Sequence, residues 1–237
     1  MKIIFSPAKE LNLAAPVKKD RSISEHTEKI ISVLKSFSPE ELRKCLKISP
    51  ALLRENIKYI KNFDNPVSYH AIDLYNGLAY RNLCVVDFSE TERAYLIDHL
   101  ILLSALYGPI QADSLIKPYR LDFHSQLKID GKSLKSFWKM PYNNYFKKGE
   151  TIINLASDEF SGLFDRSRFN WIDIAFFERK NGELKKHSSV SKKARGLMLR
   201  FMAKNKITNI DEIRSFDTDG YFCDNSLSNE KSQVFIR

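Results

Sequence analysis

The chain has few cysteines and none in a pattern. Cys45, Cys84 and Cys223 stand far apart among 237 residues, with no CxxC spacing. That gives no disulfide framework and no structural zinc site, and it fits a reducing cytoplasm. His26, His70, His99, His124 and His187 show neither HxxxH nor HExxH, so spacing offers no metal site. A GxSxG elbow, a Walker loop and a GxGxxG fingerprint are all missing. The familiar hydrolase, NTPase and dinucleotide sites are thereby unsupported, and no cofactor is expected. No apolar run approaches the roughly 20 residues of a membrane span. The opening "MKIIFSP" has too short an apolar part for a secretory signal and reads as a first strand. There is no internal repeat, low-complexity tract or obvious linker, so residues 1–237 read as one domain, expected to be monomeric. The most loop-like segment is "APVKKDRSISEH", residues 15–26.

Acid is also missing, from one long stretch. Between Lys185 and Lys206 the chain carries Lys185, Lys186, Lys192, Lys193, Arg195, Arg200, Lys204 and Lys206 with no Asp or Glu. The formal charge of the whole chain is +9, so nearly all of it is concentrated there. A diffuse basic surface aids solubility, whereas a concentrated one suggests a polyanion or a phosphate-bearing ligand.

Strand patterns appear at Lys2–Phe5, Thr151–Leu155 and Ile172–Glu178. The last turns through Lys180-Asn181-Gly182 into Glu183–Ser188, an Asn-Gly hairpin signal. A final pair is expected around Tyr221–Cys223 and Gln233–Ile236. Helical periodicity marks Glu25–Phe37, Pro39–Lys47, Pro50–Asn62, Thr91–Ala105 and Lys192–Asn205. Strands interleaved with helices, with hairpins late in the chain, give an α+β or mixed α/β class.

In the 192–205 helix, Ala194, Leu197, Met198, Phe201 and Met202 fall on one apolar arc, with Lys193, Arg200 and Lys204 stacked along its edge. Gly196 costs roughly 1 kcal/mol against Ala in a helix interior. One reading is that it lets a ligand phosphate approach between flanking cations; the other is helix packing beside a solvated charge edge. At the strand ends, "IIFSPAKE" and "IINLASDE" share an apolar strand followed by Ser and polar groups, and ligands collect beyond the carboxyl ends of strands in open α/β sheets. Ser6 and Lys9 offer a hydroxyl and an ammonium; Asn154, Ser157, Asp158 and Glu159 offer acceptors, although the serine and acids are also an ordinary helix start. Tyr107, Tyr119 and Arg120 lie in loops where aromatic rings could stack on bases and the guanidinium meet a phosphate, or where the tyrosines simply pack. Residues 38–61 read as two helices, each opened by Ser-Pro, around the turn Lys47-Ile48-Ser49. In a helix-hairpin-helix such a turn holds a DNA phosphate without reading bases.

The ordered motifs "FSPAK", "LYNGLAY", "LSALYGPI", "KPYRLDF", "FW", "INLASDE", "KKARGLMLRF" and "DGYFCD" resemble the bacterial YaaA family of peroxide-stress proteins. The resemblance implies a compact α+β fold with a basic cleft and a helix-hairpin-helix element. It further implies DNA binding, in a setting of limited intracellular iron and iron-driven DNA oxidation. Ser6, Lys9, Arg120, Ser157, Lys192, Lys193, Arg195 and Gly196 fall in its motifs. The expectation is a cytoplasmic, sequence-tolerant binder of duplex DNA that uses these cations with Lys47, Arg200 and Lys204. The alternative is an enzyme acting on a phosphorylated or nucleotide-like molecule in the same cleft.

Overall fold

Strand β1 (Lys2–Phe5) is apolar beyond its first residue and buried there, as befits a strand covered on both faces. A computed structural model describes residues 1–19 and 23–237. Within the loop-like segment, Val17 and Lys18 form a short strand, and residues 20–22 lie outside the described residues. Seven further strands share the principal sheet with β1: β2 (Leu100–Ser104), β3 (Gly108–Gln111), β4 (Thr151–Asn154), β5 (Asn170–Lys180), β6 (Glu183–Lys185), β7 (Phe222–Cys223) and β8 (Ser232–Ile236). Their order is β7-β8-β5-β4-β1-β2-β3, with β6 paired to β5. The five central strands run parallel, while β3, β6 and β7 pair antiparallel. This is the mixed class that the sequence implies.

The chain leaves β1 toward β2 on one side and leaves β4 toward β5 on the other. The adjacent carboxyl ends of β1 and β4 therefore form a topological switch point, where connections diverge and open a crevice. Ten α-helices accompany the sheet among the described residues: α1 (Glu25–Ser36), α2 (Pro39–Leu46), α3 (Pro50–Lys61), α4 (Ala71–Leu74), α5 (Leu78–Leu83), α6 (Glu90–His99), α7 (Leu134–Tyr145), α8 (Asp158–Ser161), α9 (Ser188–Lys204) and α10 (Ile210–Ile213).

One expected helix divides. The pattern over Thr91–Ala105 ends as helix at His99 and continues as β2, whose five residues are all buried. A continuous apolar run suits a buried parallel strand as well as a buried helix, and periodicity alone does not separate them. Helices α2 and α3 are the two short helices expected there, joined at Lys47–Ser49. Ser38 makes a reciprocal capping box with Glu41, Ser49 accepts from the Leu52 amide, and Lys47 closes α2 in the left-handed region at φ 53°.

Gly196 has the packing role. It is buried in α9 against α5, and a Cβ there would overlap the Ala79 backbone carbonyl. The Ala79 backbone fills that space, so the expected opening beside Gly196 is corrected. Gly196→Ala should lower stability by about 2 kcal/mol in urea denaturation. Forcing two backbones apart costs about 3 kcal/mol, at the upper end of overpacking changes, and alanine's helix propensity recovers only about 1. Unchanged or raised stability would mean open space beside the glycine.

Candidate anion-binding site

Ser6 and Ser157 meet at the switch point. The Ser157 amide donates to Ser6 Oγ at 2.8 Å, and the two hydroxyls are 3.1 Å apart. Above them opens a cleft of about 800 Å³. Its walls come from five motifs distant in sequence: Phe5–Glu10, Gly77–Arg81, Tyr119–Asp122, the Leu155–Phe160 turn, and the start of α9 from His187 to Arg195. Tyr80 fastens two of these walls by donating to the Ser6 carbonyl at 2.8 Å and packing edge-on against Phe5. Lys9, Arg120 and Asp122 also line a separate, smaller cavity of about 160 Å³ at the hairpin turn, where Lys47 stands.

The charges sort by partner. Lys9 bonds Asp122 at 2.7 Å; burial alone would raise the Asp122 carboxyl, but Lys9 holds it below the usual range. Arg81 pairs with Glu10. Glu159 accepts the Phe123 amide at 2.9 Å and faces His124 at 3.5 Å. Arg120, Lys192 and Arg195 remain, and none of them makes a hydrogen bond or ion pair among the described residues. Arg195 is half-buried. Burial pushes its pKa down, opposed only through space by Asp158. An unpaired guanidinium held partly out of water is costly unless an anion meets it. The first turn of α9 carries no acid and has no side-chain cap, so its amides and dipole add to the positive field.

The family described as peroxide stress protein YaaA matches residues 1–227. The chain belongs to this family. It is 38% identical to a UPF0246 protein of Fusobacterium nucleatum, covering 100% of this chain and 99% of that one. It is 35% identical to a UPF0246 protein of Streptococcus gordonii and 34% identical to one of Streptococcus pneumoniae, each across 100% of this chain.

In this YaaA-family chain the cations expected from the sequence do not act together. Ser6, Lys9, Arg120, Ser157, Lys192 and Arg195 line the cleft, and Lys47 lines the smaller cavity. The edge stripe does not. Lys193 bonds Asp219 at 2.9 Å, Arg200 bonds Asp87 at 2.6 Å, and Lys204 bonds Glu92 at 2.9 Å. The acids missing between 185 and 206 are thus supplied by other segments. Arg200 also donates to the Leu83 and Cys84 carbonyls, holding the end of α5, and Arg200 and Lys204 both lie over the Phe88 ring. Asn154 is likewise structural: its side chain donates to Asp173 and accepts the Ala156 amide, shaping the turn from beneath.

The tyrosines pack. Tyr107 is buried, its hydroxyl accepting the Lys117 amide, and Tyr119 bonds Tyr75 and Ser104 beneath the cleft. Neither is placed to stack openly on bases. No sequence pattern marks His187, Ser188 and Ser189 as wall residues. The paired serines are a helix-start signal, and they could have moved the start of α9 four residues earlier.

Two outcomes follow from these environments. Arg200→Met should lower stability by about 2 kcal/mol, since hydrogen bonds to a charged group contribute about 1.5–3. Arg195→Met should leave thermal stability unchanged or raise it, because it removes an unmatched charge; equal losses in both variants would refute the distinction. Burial pushes Tyr75, Tyr80 and Tyr142 well above the ordinary phenol range and Tyr119 up to about 12. Unfolded phenols ionise near 10, so the stability these groups contribute is complete below pH ~10 and is lost as pH rises toward the folded values. Phenolate absorbance and loss of circular dichroism should therefore rise together above pH ~10. Full ionisation near pH ~10 with the fold intact would contradict this.

Proposed function

We propose that the chain binds duplex DNA through the phosphate backbone, with little dependence on sequence, as its part in the peroxide stress response named for its family. The observation that carries the reading is the convergence of Arg120, Lys192 and Arg195, all without salt-bridge partners, in one cleft that shares Lys9, Arg120 and Asp122 with the smaller cavity at Lys47. Unpaired guanidinium and ammonium groups around a groove suit phosphate oxygens. Helix α9 is packed on α5, α6 and β5, so it is not available to enter a major groove and read base edges. The contacts are then of the kind that position a backbone and carry no base information. The α2–α3 hairpin presents Lys47 and its turn at that smaller cavity, where a second phosphate would meet it.

In this reading the protein is a cytoplasmic monomer that covers DNA when iron and hydrogen peroxide together generate oxidants. No helix among the described residues is long and apolar enough to cross a membrane. One feature favours a second reading. The cleft is a pocket at a switch point, the place where open α/β sheets hold small ligands, so a phosphorylated or nucleotide-like molecule, and chemistry upon it, fits the same walls.

Salt titration separates the readings. With Lys47, Arg120, Lys192 and Arg195 each neutralising one phosphate, log K should fall against log salt with a slope of about −3.6, from about −0.9 per contact on duplex DNA. Replacing Arg120, Lys192 and Arg195 together by Gln should make the slope shallower by about 2.7. Replacing Lys193, Arg200 and Lys204 should leave it unchanged in the folded fraction. A slope near zero, or an unaltered slope in the first triple variant, would sink the backbone model.

A further inference from the structure

The cations at the switch-point end of the cleft outnumber what an internal DNA phosphate needs. The cleft is lined by the cations Lys9, Arg81, Arg120, Lys192 and Arg195 and the carboxylates Glu10, Asp122 and Glu159, which leaves two positive charges uncompensated among the lining residues, with Asp158 acting on Arg195 from outside the wall. An internal diester linkage carries one negative charge, whereas a phosphomonoester carries about 1.5 to 2 at neutral pH.

The neutral groups agree with the charges. Lys192 and Arg195 are one turn apart on α9 and face the same space. Before them come the hydroxyls of Ser188 and Ser189, also on the cleft wall and without hydrogen-bond partners among the described residues. On the opposite wall the Ser6–Ser157 pair has one proton to spare. Ser6 Oγ accepts the Ser157 amide, and the two hydroxyls share one hydrogen bond. Whichever of them donates in that bond, the proton of the other remains for a ligand oxygen. A tetrahedral group with three terminal oxygens, rather than two, has acceptors for both walls.

We infer that this end of the cleft is a phosphomonoester site, built to take a terminal phosphate rather than an internal one. The inference rests on the backbone-binding reading and deepens it. A strand whose end sits at Arg195 has a path for its next phosphates past Arg120 toward Lys47. The chemistry also fits the family's setting, because radical attack on deoxyribose breaks DNA strands and leaves phosphate-bearing ends. A free mononucleotide presents the same dianion.

The test uses the full chain and three duplexes of one sequence: intact, gapped with phosphate at the gap ends, and gapped with hydroxyls there. Fluorescence anisotropy should show the phosphate-ended gap bound at least about tenfold tighter than the hydroxyl-ended one, the tenfold step expected of one charge-assisted contact. Inorganic phosphate or adenosine 5′-monophosphate should compete away that difference. In Lys192→Gln, an exposed position that does not threaten folding, and in Arg195→Lys, the ratio should shrink toward one. Equal affinity for both gapped duplexes, with the intact duplex still bound and salt-dependent, would overturn the terminal-phosphate site and leave the backbone reading standing. No binding of any duplex, with the mononucleotide bound and lost in Lys192→Gln, would support the site, assign it to free nucleotides and remove the backbone reading. Binding of none of these probes would overturn both.

Discussion

The approach of α9 to α5 at Gly196 and Ala79 is the contact on which the site depends. The α5 segment reaches the switch point through Tyr80, whose hydroxyl bonds the Ser6 carbonyl, and α9 lies against α5 there. A side chain at Gly196 would hold the two backbones apart, and Lys192 and Arg195 would move with the helix. The glycine therefore acts on the cleft without touching it. Its helix-propensity cost of roughly 1 kcal/mol is offset by close packing next to Arg195 and one turn from Lys192.

Ion pairing then divides a basic helix into two functional halves. Toward its carboxyl end, Arg200 and Lys204 meet Asp87 and Glu92, and Arg200 also holds the carbonyls that close α5. On another side, Lys193 joins Asp219, which also pairs with Arg237 near the chain end. These cations fix the position of α9. Near its amino end, Lys192 and Arg195 face a cleft whose carboxylates Glu10 and Asp122 are engaged by Arg81 and Lys9 and whose Glu159 accepts the Phe123 amide. The unsatisfied charge is thus localised in the amino-terminal half of α9. Unmatched, partly buried charge lowers stability, and functional sites are where such costs concentrate.

Much of the fold was legible in local pattern. The caps at Ser24, Ser38 and Ser49 start α1, α2 and α3 where the side-chain hydroxyl can accept an early amide, and the Asn181-Gly182 turn joins β5 to β6, with both residues in the left-handed region. Segments whose burial is set by tertiary neighbours were harder to read. Leu100–Ser104 is buried on both faces and loses the alternation that marks a strand. Helix α7 contains Pro141, a residue that argues against a helix interior, and it is held by packing near β3 and by the bonds of Trp138 and Tyr142 to the Ala105 and Ser104 carbonyls.

The sequence by itself determined the mixed class, the starts of α1, α2 and α3, and the family. Each of these rests on spacing along a few turns or on ordered local motifs. It also named most of the cleft's polar residues, because Ser6, Ser157, Arg120, Lys192 and Arg195 all sit in those motifs. Tertiary structure alone decided which cations remain free. Charge matching depends on distances between segments a hundred residues apart, as between Arg200 and Asp87, and no linear pattern encodes them. The same is true of Gly196, whose missing side chain is explained only by the Ala79 carbonyl that stands beside it.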